Sequence, residues 1–174
     1  MSDETRSFEA LVLPHLDAAY NLARWMVRDE HAARDVVQDA FLRAMRYFDS
    51  MHGNQARPWV LGIVRNCCLS WIEAQQRRPD TMELDEQAPE ALEASRSTSP
   101  PEMLEARQQR VQVDSAIAAL SPPLREVIVL REIEGLAYAE IAAIVDVPMG
   151  TVMSRLSRAR AELKIALAEL RKHS

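Results

Sequence analysis

Glycine is scarce in this chain, with four residues among 174. Glycine serves turns that need left-handed backbone, and β-branched runs are few as well. Both shortages argue against a sheet-rich fold with many tight turns. Cysteine is scarcer still. Cys67 and Cys68 stand side by side, and His15, His31, His52 and His173 are scattered. Neither pattern has zinc-ligand spacing, so no metal site is predicted. The cysteines read as two small buried residues of a helix, with a redox switch as the lesser alternative. No apolar run approaches the about 20 residues of a membrane span. The opening MSDETRSFEA lacks the basic-then-apolar layout of a signal peptide. A cytoplasmic protein without membrane insertion is predicted. No nucleophile–base pair, metal cluster or phosphate loop is visible either. The chain therefore reads as no enzyme, with no catalytic residues, no cofactor and no small-molecule substrate.

What is present is 48% hydrophobic and 27% charged, the composition of a globular chain long enough for one compact domain or two small ones. The net charge is −5, and it is unevenly spread. From Pro79 to Glu105 eight acids face Arg96 alone, a local charge of −7 that leaves +2 for the rest. The whole-chain charge thus hides basic faces elsewhere.

The most informative stretch is LAYAEIAAIVDVPMGTVMSRLSRAR, Leu136 to Arg160. A first helix is predicted over about Tyr138 to Val145, with Ile141, Ala142 and Val145 on one face. Asp146-Val147-Pro148 permits only a sharp turn. Pro148 is a favoured first residue for a second helix, in which Val152, Leu156, Ala159 and Leu163 form one buried stripe. Met153, Ser154, Arg155, Ser157 and Arg158 lie on the other face. This is a helix-turn-helix offering a polar, basic surface to DNA. A helical hairpin with merely solvated arginines is the plainer alternative.

The rest is helical in pattern too. Phe8, Leu11, Val12, Leu16, Ala19, Tyr20, Ala23, Met26 and Val27 make an apolar face, broken at Pro14. Asp29 is placed to cap the next helix, which runs to about Phe48. Its predicted buried pairs are Val36-Val37, Ala40-Phe41 and Ala44-Met45, with Phe48 after them. Asp35, Gln38, Asp39, Leu42 and Arg46 face outward. Ser50 to Arg57 is a polar loop. From Pro58 to about Arg77 the paired repeat returns through Trp59-Val60, Ile63-Val64, Cys67-Cys68 and Trp71-Ile72, with Arg65, Asn66, Ser70 and Glu73 opposite. Both tryptophans lie in the apolar stripe, so core packing is the better reading than base stacking. Pro79 to Pro101 holds four prolines and no periodicity, the signature of an extended, self-repelling linker. Helix resumes from Glu102 to Leu120. Ser121 and Pro122 are placed as cap and first residue of a further helix closed by Gly135. The predicted fold is all-α, with helical domains at 1–78 and 102–174 joined by a flexible acidic linker at 79–101.

This layout resembles the extracytoplasmic-function (ECF) class of bacterial sigma factors, of the sigma-70 family. The N-terminal module is similar to the sigma-2 domain through DVVQDAFLRAMRYF and RPWVLGIVRNCCLSWI. The C-terminal module is similar to the sigma-4 domain through LSPPLREVIVLREIEGLAYAEIAAIVDVPMGTVMSRLSRAR. The resemblance covers nearly the whole chain outside the linker. It implies a factor of the stress-response kind that binds core RNA polymerase and directs it to promoter DNA. It implies that Asp35, Gln38, Asp39 and Leu42 meet the polymerase. An exposed carboxylate pair one turn apart suits a basic partner. It implies that His52, Gly53, Asn54 and Gln55 capture an unstacked base of the minus-ten element. Arg57, Arg65, Asn66 and Arg77 would hold the single strand beside it. Met153, Ser154, Arg155, Ser157 and Arg158 match the readers of the minus-thirty-five element. The acidic linker matches the segment that threads the polymerase interior, and in the free chain it is expected to mask the basic faces. An anti-sigma protein that covers the polymerase-binding faces is usual for the family, and no further C-terminal domain replaces it here. Three positions depart from the family pattern. Ala137 stands where serine or threonine caps a helix, Asp146 where glycine turns the chain, and Met153 where lysine or arginine is usual. Two other functions fit the residues alone. One is a one-component regulator that binds duplex DNA without polymerase, and the other is a partner-binding adaptor.

Overall fold

The computed structural model describes residues 3–53, 55–78 and 100–172. Among the described residues there is no strand. The helices are α1 (Asp3–Leu11), α2 (Leu16–Val27), α3 (Glu30–Arg46), α4 (Ala56–Gln76), α5 (Pro101–Ala119), α6 (Pro122–Ile128), α7 (Tyr138–Val145) and α8 (Met149–Lys172). Short 3-10 turns lie at Leu13–His15 and Phe48–Ser50, and a π-turn at Val129–Ile133. The expected 79–101 linker lies almost wholly outside the described residues.

Local chemistry sets most of the helix ends. Pro14 closes α1 through a 3-10 turn and lets α2 begin two residues later. Asp29 is extended and its carboxylate accepts from the Ala32 backbone N–H at 2.7 Å, as predicted. Gly135, at φ 67°, closes the helical run of α6 and the π-turn, and its N–H donates to the Arg131 carbonyl at 3.1 Å. A glycine there meets no Cβ penalty. Three expectations need correction. Ser121 occupies the N-cap position of α6, but its side chain makes no capping bond. Its backbone carbonyl alone accepts, from the Leu124 and Arg125 N–H groups, while the Arg125 Nη2 donates to the Ala118 and Leu120 carbonyls at the end of α5. Pro148 precedes α8 by one residue and accepts from Thr151 and Val152. Met45, predicted buried beside Ala44, is 56% exposed. Neighbours on a helix point about 100° apart, and Ala44 alone faces the core.

The first module packs α2, α3 and α4 around Leu22, Val36, Val37, Ala40, Leu61, Val64 and Cys68. Phe8, Val12, Ala44 and Val60 form a smaller cluster. Over it Phe48 lies edge-on to Phe8 and Trp59, at 5.5 and 6.5 Å between ring centres. Trp59 and Trp71 are half-buried and packed on the core, as their stripe predicts. The second module packs α6, α7 and α8 through Val127, Leu130, Ile141, Val152, Leu156 and Ala159. The two modules are not separate bodies in space. Helix α7 lies on α4 and α6 on α2, and one apolar cluster runs through both modules.

The entry to α7 is locally weak. Ala137 has no acceptor to offer. Only Glu140 serves there, its Oε2 accepting from the Ala137 N–H at 2.8 Å. Ala137→Ser completes the reciprocal pair and is expected to stabilise the whole chain by about 0.5–2 kcal/mol. A thermal melt without a gain would show that the first free N–H groups of α7 are already satisfied.

Candidate nucleic-acid and polymerase interfaces

Three surfaces were expected from the sequence, and the structure treats them differently. On α3, Asp35, Gln38, Asp39 and Leu42 are all exposed on one face. Asp39 also accepts an ion pair from Arg43 at 3.0 Å, one turn on. Both groups are about half exposed, so the pair is worth only a few tenths of a kcal/mol and leaves the carboxylate available. Met45, 56% exposed and three residues on from Leu42, extends the apolar part of this face. The paired apolar repeat assigned Met45 to the core and so concealed it.

In the polar loop His52, Gly53 and Gln55 are exposed, with Gly53 at φ 71°. Asn54 lies outside the described residues. Asn66 and Arg77 are exposed on α4 or at its end, and Arg77 pairs only loosely with Glu73, at 3.7 Å. Beside the loop is a cleft of about 360 Å³ lined in part by His15, Gln55, Arg57 and Glu140, the last contributed by α7. Burial lowers the His15 pKa, and the charge of Arg57 lowers it further.

Arg57 and Arg65 are not free. The Arg57 guanidinium donates to the Glu134 backbone carbonyl and to Glu134 Oε2, the latter at 3.3 Å. The same carboxylate accepts from Asn21 Nδ2 at 3.1 Å. Arg65 grips both oxygens of Glu126, through Nε on Oε1 and Nη2 on Oε2 at 3.4 Å. Its side chain is 16% exposed and that of Glu126 8%. Burial pushes the Glu126 carboxyl up from the usual carboxylate range, against the downward pull of Arg65 and then of Arg155. Desolvation thus outweighs pairing, and the ion pair adds little net stability. Removing one partner alone would still cost about 3–5 kcal/mol, because the other charge is left buried. A further bond between modules runs from Arg125 Nη1 to the Trp25 carbonyl at 3.4 Å.

On α8, Met153, Ser154, Ser157 and Arg158 are exposed and Arg155 is half-buried. The Ser154 hydroxyl donates back to the Thr151 carbonyl at 3.0 Å, which leaves its oxygen free to accept. Arg160 holds α8 to the π-turn through Glu132, at 2.6 and 3.0 Å. Arg131 stacks over Tyr138 at 4.8 Å and donates to the Leu136 carbonyl at 2.7 Å, which fixes the approach to α7. Glu126 and Glu134 are the site residues that local reading missed. The available signal was three acids, Glu132 among them, inside the apolar run LREVIVLREIEGL.

Two family models match in order, Sigma-70 region 2 over residues 11–78 and Sigma-70 region 4 over residues 110–163. The ECF RNA polymerase sigma-E factor of Escherichia coli strain K12 is 40% identical over 131 residues, covering 72% of this chain and 69% of that protein. The RNA polymerase sigma-H factor of Pseudomonas aeruginosa is 32% identical over 172 residues, covering 96% and 89%. Among solved structures, the sigma factor RpoE in complex with the anti-sigma factor NepR, from Bartonella quintana, superposes with a TM-score of 0.76. It is 27% identical, with 94% of this chain and 98% of that chain covered. CnrH in complex with the cytosolic domain of CnrY gives 0.66 at 28% identity, covering 95% and 90%. The fold and the paired regions are those of a sigma-70 family protein. Within that family the chain belongs to the ECF sigma factors.

The adjacent thiols are buried on α4. Burial pushes the Cys68 thiol up to about 12, and the neighbouring Cys67 and Glu126 charges act in the same direction. Cys67 is also raised, chiefly by burial. The thiolate is the reactive form. A charged thiol reagent at pH 8 is therefore expected to label neither residue in the native chain and both after denaturation. Rapid native labelling of Cys68 would revive the redox reading.

Proposed function

We propose that this chain is an alternative sigma factor that binds core RNA polymerase and directs initiation at promoters carrying its minus-ten and minus-thirty-five elements. The supporting observation is the pair of matched regions in sequence order, the second containing a helix-turn-helix whose outer face carries Ser154, Ser157 and Arg158. The work is done in the cytoplasm, where the polymerase is. No described helix is long and apolar enough to cross a membrane. The 1–78 module meets the polymerase and the minus-ten strand, and the 102–174 module reads the minus-thirty-five duplex. Asp35, Gln38, Asp39 and Leu42 form the polymerase face. His52 to Gln55 take the unstacked base, while Arg57, Arg65, Asn66 and Arg77 hold phosphates. An anti-sigma protein is a partner of this chain, as NepR is of the Bartonella relative. The activity is regulatory, with no catalysis of its own. Reconstitution with core polymerase tests this directly. A promoter-dependent transcript supports it, and duplex binding without any polymerase association would favour the one-component regulator.

Two sets of variants test the residues. Asp35→Arg with Asp39→Arg sets like charge against a basic partner and should weaken core binding at least about tenfold, or about 1.4 kcal/mol. Unchanged affinity with intact helicity would move the polymerase face elsewhere. Met153 is 51% exposed and cannot neutralise a phosphate. Met153→Lys should tighten duplex binding about equally across sequences and steepen the salt dependence by about one unit of log K per log salt. Arg158→Ala should instead cost about 1–3 kcal/mol and relax preference at one base pair. Titrations against single-base promoter changes at two salt concentrations separate the two roles. The reverse pattern would mean that the outer face of α8 is wrongly divided.

A further inference from the structure

We infer that Glu126 and Glu134 act as internal stand-ins for DNA phosphates, holding Arg65 and Arg57 of the first module so that the free chain is closed against the minus-ten strand. The inference rests on the assignment of those two arginines to DNA made above. Each of these carboxylates belongs to the second module, and each arginine it holds to the first. The grip on Arg65 is two-pronged, the geometry in which guanidinium takes a carboxylate or a phosphate. Arg57 is bound twice by one residue, through the backbone carbonyl and the carboxylate of Glu134. Asn21 steadies that carboxylate from α2. Glu140 of α7 also lines the cleft that Gln55 and Arg57 share. The second module therefore sits where the strand beside the loop would run.

The electrostatics extend to the other reading surface. The charge of Arg155, on α8, acts on Glu126 together with that of Arg65. One buried carboxylate thus serves a cation from each DNA surface. Only Arg65 crosses the seam, so loss of the closed form releases Arg65 and leaves Glu126 to Arg155 within the second module. The apolar seam between α4 and α7 supplies the closing force, and the ion pairs select which arginines are covered. Masking of this kind needs no part from the 79–101 segment, to which the sequence had assigned it.

Closure lowers apparent affinity by the fraction of open molecules, and the coupling is reciprocal, so DNA that takes these arginines must open the chain. The test uses the full chain with dyes on the exposed positions Arg34→Cys and Lys164→Cys, the native thiols being buried. The probe is a single-stranded DNA oligonucleotide of mixed sequence, since phosphate contacts carry no base information. Glu126→Gln with Glu134→Gln should lengthen the dye separation without DNA and tighten oligonucleotide binding by about tenfold, as expected if nine molecules in ten are closed. Saturating oligonucleotide should lengthen the separation in the chain that keeps both glutamates. That second measurement stands even if the buried substitutions prevent folding. An unchanged separation in either experiment overturns the closure. A longer separation with unchanged DNA affinity would keep the closure and remove Arg57 and Arg65 from the DNA surface.

Discussion

The pairing of Arg65 with Glu126 is the constraint around which the closed molecule is arranged. Two full charges meet at the seam between modules with almost no water on either side chain. Such a pair contributes little net stability, because taking both charges out of water costs about as much as their attraction returns. Its effect is on geometry. An offset of one helical turn between α4 and α6 would leave two buried charges unmatched, so only one register of the modules is tolerated. The Glu134–Arg57–Asn21 group and the Arg125–Trp25 bond enforce the same register at two further points. The holding force comes from the apolar cluster that runs through both modules.

Closure does not affect the three candidate surfaces equally. Asp35, Gln38 and Leu42 on α3 remain open, as do Met153, Ser154, Ser157 and Arg158 on α8. Arg57 and Arg65 are engaged, and Arg155 is half-buried. On the proposed assignment a polymerase can meet the acidic face of α3 before the modules part, whereas the minus-ten strand cannot be held until they do. Core binding thereby comes first in order, and promoter contact second. The low intrinsic worth of the buried ion pairs suits this sequence, since a partner that supplies equivalent charges loses little by replacing them.

Local features were legible from sequence where one residue acts on its near neighbours. The Asp29 cap, the break at Pro14, the closure at Gly135 and the α8 stripe of Val152, Leu156 and Ala159 all depend on contacts within a turn or two. Met45 was misread because the paired repeat gives no direction for the second member of each pair. At Ser121 the backbone carbonyl accepts from Leu124 and Arg125 but the hydroxyl makes no capping bond, a choice of rotamer that residue type does not reveal. The π-turn after α6 left no local mark. The partners of Arg57 and Arg65 stand 77 and 61 residues away. No pattern of period or spacing reaches that far, so both arginines looked free. The acids that take them were visible only as charges within an apolar run.

Helix α7 shows how the tertiary level compensates for weak local signals. It has eight residues, and an isolated helix under about 12 residues is marginal in water. Ala137 gives its start no side-chain acceptor, and its end places Asp146 at φ 55°. That backbone region costs most non-glycine residues about 1–2 kcal/mol, though aspartate tolerates it better than most. Neither end is what local preference would choose. The helix persists because Ile141, Ile144 and Val145 are buried between α8 on one side and α4 on the other. Part of that support is intramodular and part crosses the seam. When the modules part, α7 keeps α8 but loses α4. The first helix of the DNA-reading motif is therefore more firmly held in the closed chain than in the open one.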